Sequence, residues 1–283
     1  MDRRMFSMAA GLAMATWGTG ARAQKTSWLA DMERDVGGRV GVAVLDTRTG
    51  RLSGHRLDER FPMCSTFKWL ASAKVLQRVD AGQESLDRQV PVTAADIIDH
   101  SPITEKHVGG TMALGDLCDA TIAISDNAAA NLILSTYGGP AAVTAFARSV
   151  GDTTTRLDRT EPALNQSRPG DPRDTTSPAA MARTLRAVLL GDALKPASRE
   201  RLTGWMLGSQ TSGERLRKDL PAGWRLADKT GTGANGSAND VGVFWAPDRP
   251  PVVVAVYLTG GKASLDRRNA AIAAVAGRFR AGA

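Results

Sequence analysis

The hydrophobic pattern changes character twice along the chain. Near the start, Arg39-Val40-Gly41-Val42-Ala43-Val44-Leu45 alternates as a strand does, residues 46–50 supply a turn, and residues 51–55 form a second strand. From Thr66 to about Met206 the spacing turns mostly helical, punctuated at Gly138-Gly139-Pro140 and Pro169-Gly170-Asp171-Pro172. Strand-like runs return at 224–229, 240–245 and 251–259. The unbroken Val252-Val253-Val254-Ala255-Val256 predicts a strand covered on both faces. A last segment, about 264–280, is rich in alanine and arginine and predicts an amphipathic helix. Strands, then helices, then strands predict a sheet assembled from residues 24–60 and 207–283, with a helical domain over 61–206 inserted between them.

The first 23 residues stand apart. Arg3 and Arg4 give a charged start, residues 6–17 are apolar or small, and Ala21-Arg22-Ala23 has the form of a cleavage site, so residues 1–23 read as an export signal peptide. The Arg3-Arg4 pair fits a twin-arginine signal and equally the charged start of any export signal. No apolar run reaches the roughly 18–20 residues that span a bilayer.

Charge and composition narrow the function further. The chain has 283 residues, with 36 basic and 29 acidic side chains and a formal charge of +7. The leader holds three arginines and one aspartate, so +5 remains without it. That excess is scattered, and aromatics are only 5%, which argues against a nucleic-acid groove. Two cysteines exclude a disulfide scaffold, and the three histidines (His55, His100, His107) fall in no metal-site spacing, so no metal is expected.

Four short segments carry candidate chemistry. Ser65-Thr66-Phe67-Lys68 precedes a helix whose apolar positions are Trp69, Ala73, Leu76 and Val79, with Gly82 closing it. The serine and lysine then share a helix face, so the lysine can serve as base to the hydroxyl if burial keeps it neutral. The helix N-terminus also directs N–H groups at a developing oxyanion. Alone, the pair equally suits a capping serine and a solvated lysine. Ser125-Asp126-Asn127 joins two helical segments, where capping is the simpler reading. Glu161-Pro162-Ala163-Leu164-Asn165 lies in an irregular stretch, 158–174, and Lys229-Thr230-Gly231-Thr232-Gly233 ends a strand.

In this order the four segments resemble the class A serine β-lactamases, with their S-x-x-K, S-D-N and K-T-G motifs. The resemblance spans nearly the whole chain after the leader. It includes Arg159 and Asp174, placed like the pair that closes the family's Ω loop, and the tail Asp266-Arg267-Arg268-Asn269. It implies an antiparallel five-stranded sheet flanked by helices, an inserted helical lobe, and an active site between the two. By resemblance Ser65 is the nucleophile, Lys68 its proton relay, Ser125 the donor to the leaving nitrogen, and Glu161 the activator of the deacylating water. Asn165 would fix that water and Asn127 the substrate's acylamide side chain. Lys229, Thr230 and Thr232 would meet the substrate carboxylate, and the backbone N–H groups of Ser65 and Thr232 would form the oxyanion hole.

Four positions depart from common family patterns. Ala238 stands where many relatives carry a carboxylate-binding arginine, and Arg215 matches the position from which others supply it. Gly233 and Ser72 occupy the partner positions of the family's known bridges to Cys64 and Cys118. Both cysteines are therefore expected free and buried, a Cys64–Cys118 bridge being the alternative. His100 sits where the family places an aromatic residue at the site mouth.

The implied protein is an exported, periplasmic, monomeric enzyme without cofactor that hydrolyses penicillins and cephalosporins. Its rivals are a penicillin-binding D-Ala-D-Ala peptidase and a β-lactam sensor that stays acylated. Glu161 and Asn165 argue against both.

Overall fold

A computed structural model describes the backbone of residues 20–281 and the side chains of 28–280. The leader lies outside the described residues as far as position 19. Helix α1 (Gly20–Val36) leads into β1 (Arg39–Asp46) and β2 (Leu52–His55). After the short β3 (Phe61–Pro62) and one 3₁₀ turn comes α2 (Phe67–Asp80), then β4 (Gln89–Pro91), β5 (Thr111–Ala113), α3 (Leu114–Ala123), α4 (Asn127–Ser135) and α5 (Pro140–Ser149). An irregular stretch reaches β6 (Thr175–Thr176), followed by α6 (Pro178–Leu189) and α7 (Pro196–Leu207). Strands β7 (Arg225–Thr232), β8 (Ala238–Ala246) and β9 (Arg249–Thr259) and helix α8 (Leu265–Ala281) complete the chain.

The five long strands form one antiparallel sheet in the order β2-β1-β9-β8-β7. Period-two alternation sorts its side chains onto two cores. Val254, Val256 and Leu258 of β9 pack with α1 and α8, while Val253, Ala255 and Tyr257 face the helices of the middle segment. Strand β1 forms where the alternation predicted one, and residues 40–43 are all buried, because helices cover the sheet front and back. Small pairs β3–β6 and β4–β5 break the stretch read as helical.

Helix α2 runs through the larger core. Phe67 to Ala73 are buried without a gap, so its first turns have no solvent face, unlike the amphipathic helix expected. Its neighbours start from local signals. The Asp126 side chain caps α4 by accepting from Ala129 N (2.9 Å), Ser177 caps α6, and Pro140, Pro178 and Pro196 occupy first-turn positions. Among the described residues no helix is long and apolar enough to cross a membrane.

Candidate active site

The turn at 64–66 sets Ser65 at the head of α2, with Lys68 one turn further in. Cys64 just before it holds a left-handed conformation (φ 46°), a strained setting for a non-glycine residue. The Asn239 amide on β8 fixes the approach by donating to Pro62 O (2.9 Å) and Met63 O (3.0 Å). Strand β7 comes so near that a Cβ on Gly231 would stand 2.7 Å from Met63 O and 3.2 Å from Ser65 N, so only glycine fits there.

Lys68 is fully buried. Its Nζ donates to Ser125 O (2.7 Å), Asn127 Oδ1 (2.5 Å) and Ser125 Oγ (3.3 Å), and lies 3.2 Å from Glu161 Oε1. Burial lowers its pKa despite the neighbouring Glu161 carboxylate. Ser65 Oγ donates to Glu161 Oε1 at 3.3 Å. Ser125, left-handed at φ 65°, bridges the two lysines: its hydroxyl also accepts from Lys229 Nζ at 3.1 Å. Lys229 is buried, and desolvation, followed by the Lys68 charge, takes its pKa down to about 7.

Glu161 enters from the 158–174 loop, with Leu164 as the loop's buried apolar anchor. The ends of the loop are joined by Asp174, whose carboxylate accepts from Asp158 N (2.8 Å), Arg159 N (2.9 Å) and Arg159 Nε (2.6 Å). Asp174 O also accepts from Met63 N (2.9 Å), tying the loop to the nucleophile's turn. Asn165 Nδ2 donates to Glu161 Oε2, and Asn165 O accepts from Ala234 N (2.9 Å) beyond β7.

Beyond Lys229 along β7 lie Thr230 and Thr232, with Arg215 against them. Thr230 Oγ1 lies 2.6 Å from Thr211 Oγ1. Arg215 is buried, with Nε on Asn269 Oδ1 (2.8 Å), Nη1 on Gly231 O (2.9 Å) and Asn239 O (2.8 Å), and Nη2 on Thr232 Oγ1 (2.7 Å). That is no surface arginine. With its oxygen accepting from Arg215, the Thr232 hydroxyl keeps its proton to give elsewhere. His100 is exposed, with Nε2 2.9 Å from Ile124 O, and its own carbonyl accepts from Asn127 N.

The residues singled out in the four motifs thus join one connected set of contacts, while Cys64 and Cys118 are free and buried, so the alternative bridge is absent. Burial pushes both thiols up to about 12, which makes them inert. Sequence reasoning missed Asn131, whose amide donates to Glu161 O and accepts from Glu161 N, both at 2.9 Å. Its one signal is a lone amide in the apolar run Ala128-Ala129-Ala130-Asn131-Leu132-Ile133, four residues after Asn127. Asn239 and Thr211 gave no signal beyond ordinary polar residues near a strand.

A model of the β-lactamase enzyme family matches residues 24–279. The chain belongs to that family. β-Lactamase L2 of Stenotrophomonas maltophilia is 46% identical over 272 residues, which cover 96% of this chain and 90% of that protein. β-Lactamase CTX-M-8 of Citrobacter amalonaticus is 46% identical over 248 residues, 88% and 85% of the two chains. Among solved structures an ancestral class A β-lactamase superposes with a TM-score of 0.90 at 57% identity, covering 91% of this chain and 99% of that one. This family membership is that of the class A serine β-lactamases, and their fold is the one described above.

Proposed function

We propose that this class A β-lactamase opens the lactam amide of penicillins and cephalosporins through an acyl-enzyme on Ser65, and thereby confers resistance to them. The observation that carries the reading is one continuous chain of contacts, from the Ser65 hydroxyl to the Glu161 carboxylate, to the buried Lys68, to the Ser125 hydroxyl and on to the buried Lys229. Glu161 takes the Ser65 proton as Oγ attacks the lactam carbonyl, since its carboxylate is the acceptor the hydroxyl already faces. The oxyanion forms against the backbone N–H groups of Ser65 and Thr232. Ser125 gives its proton to the departing nitrogen, and Lys68 replaces it through their 3.3 Å contact and is recharged by Glu161. Glu161, an anion again, then draws a proton from water positioned with Asn165 as the water oxygen bonds to the acyl carbon; the bond to Ser65 Oγ breaks, Glu161 returns the proton to that oxygen, and the acid leaves.

Substrate binding divides along the cleft. Lys229, Thr230, Thr232 and Arg215 hold the substrate carboxylate, Asn127 its acylamide, and His100 forms the wall at the mouth. Division into a sheet domain of 24–60 plus 207–283 and a helical domain of 61–206 belongs to the same reading, as do a monomeric state and export to the periplasm by way of the leader.

Intact-mass analysis after rapid mixing with a penicillin tests the proposal. Wild type should show complete ring-opened product with only a transient adduct. Glu161→Ala should hold a stoichiometric adduct, deacylation falling by roughly 10²–10⁴-fold as for loss of a general base. A persistent wild-type adduct would instead favour the peptidase or sensor.

A further inference from the structure

Strands β7 and β8 carry two buried carboxyl groups, Asp228 and Asp240, that the mechanism above leaves unused. The register sets Asp240 opposite Thr230 and Gly242 opposite Asp228, so both acids project from the same sheet face, diagonally apart. Their surroundings differ. Asp228 is served on both oxygens: Oδ1 accepts from Arg217 Nη2 (2.5 Å) and Oδ2 from Ser209 Oγ (3.1 Å). Asp240 Oδ2 accepts from Leu216 N (3.1 Å), but its Oδ1 is buried and meets no protein donor among the described residues.

Several charged and titratable groups lie near Asp240. Asp228 of β7 shares its sheet face, Arg215 approaches from the 209–217 segment with Arg268 of α8 beyond it, and Lys229 of β7 and Tyr257 of β9 lie near it on the opposite face of the sheet. None of them makes a hydrogen bond or ion pair with it. Arg215 spends its four hydrogen bonds on carbonyl, amide and hydroxyl oxygens, so this buried cation has no carboxylate partner either.

We infer that Asp240 is a neutral carboxylic acid at neutral pH and that its neutrality leaves Arg215 an uncompensated cation for the substrate's carboxylate. An ionised Asp240 would bury an unpartnered charged oxygen beside a second carboxylate, an arrangement that favours proton uptake. Burial and the Asp228 charge raise its pKa well above the ordinary carboxylate range, outweighing Arg215 and Lys229. Once ionised it would supply inside the protein the negative charge that Arg215 otherwise finds on substrate. The second half of this inference rests on the carboxylate-anchoring role proposed for Arg215; the protonation state does not.

Asp240→Asn tests it, because the amide oxygen still accepts from Leu216 N while the charge is permanently absent. Infrared difference spectra of wild type and variant at neutral pH should show one protonated-carboxyl C=O band lost, and KM for a penicillin should change less than twofold. An ionised Asp240, for example one held by a water donor, predicts no lost band and a several-fold lower KM in the variant, which would overturn the inference. Carboxyl NMR of ¹³C-aspartate-labelled wild type reads the same protonation state if the variant does not fold: one aspartate should stay protonated through neutral pH and respond to Asp228→Asn. Arg215→Ala separates the two layers. It should raise KM for the penicillin and not for its methyl ester; equal effects on both would remove the anchoring role and leave the protonation result standing.

Discussion

Two regions deliver the reacting groups, and they are held in opposite ways. Ser65 and Lys68 ride on α2, whose first turns sit entirely in apolar core among residues such as Trp69, Leu70 and Leu76. Glu161 rides on a loop of little regular structure, held by one buried carboxylate, one asparagine on α4 and a single buried leucine. Packing is spread over many contacts, so no one of them sets the nucleophile's position. Polar bonds are few and directional, so each one matters to the loop. The difference teaches that loosening the loop should cost deacylation, which has no base but Glu161, more than acylation, for which the buried Lys68 is a second base on the nucleophile's own helix.

Substitutions that stress one region at a time sharpen this contrast. Trp69→Ala should remove ~3–5 kcal/mol of stability, seen as a lower denaturant midpoint, while the surviving folded molecules keep a steady state without a burst. Asp174→Asn removes the charged oxygen that accepts from Arg159 Nε, leaving Arg159 to Gln166 and the more distant Asp171, and loosens the loop closure by ~1.5–3 kcal/mol. Here a pre-steady-state burst of product should appear, because the loop loosens while Ser65 stays in place. If Asp174→Asn slowed acylation and deacylation equally, the two regions would not be independent, and the Met63–Asp174 backbone bond would be the first suspect. Asn131→Ala removes both side-chain bonds to the Glu161 backbone, ~1–3 kcal/mol of positioning, and should produce a smaller burst with little change in KM.

The smallest effect concerns pH. Lys229 is an ammonium below its pKa of about 7 and a neutral amine above it, so the free enzyme should lose affinity for carboxylate-bearing lactams as pH rises through that value. A bound carboxylate stabilises the ammonium, which moves the same limb to higher pH in kcat than in kcat/KM. Coincident limbs would mean that Lys229 does not meet the substrate carboxylate.

Much of this was legible in the chain itself. The strand runs, the helical middle and the closing helix follow from side-chain period, and the four motifs, each ambiguous alone, were legible through their order, which resembles that of the class A enzymes. Arg215 was legible only through a substitution elsewhere, Ala238. Asn131 was not, since an amide that clamps a backbone 30 residues away has no local signature.

The sequence by itself therefore determined which elements form and which residue types are available for chemistry, because both depend on neighbours a few positions apart. Tertiary structure alone decided that Ser125 stands between two lysines, that Glu161 faces Ser65 across 96 positions of chain, and that Asp240 lies buried with one oxygen unserved. Proton affinity and nucleophilicity depend on desolvation and on charges within a few ångströms, and those are set only when distant segments close on one another.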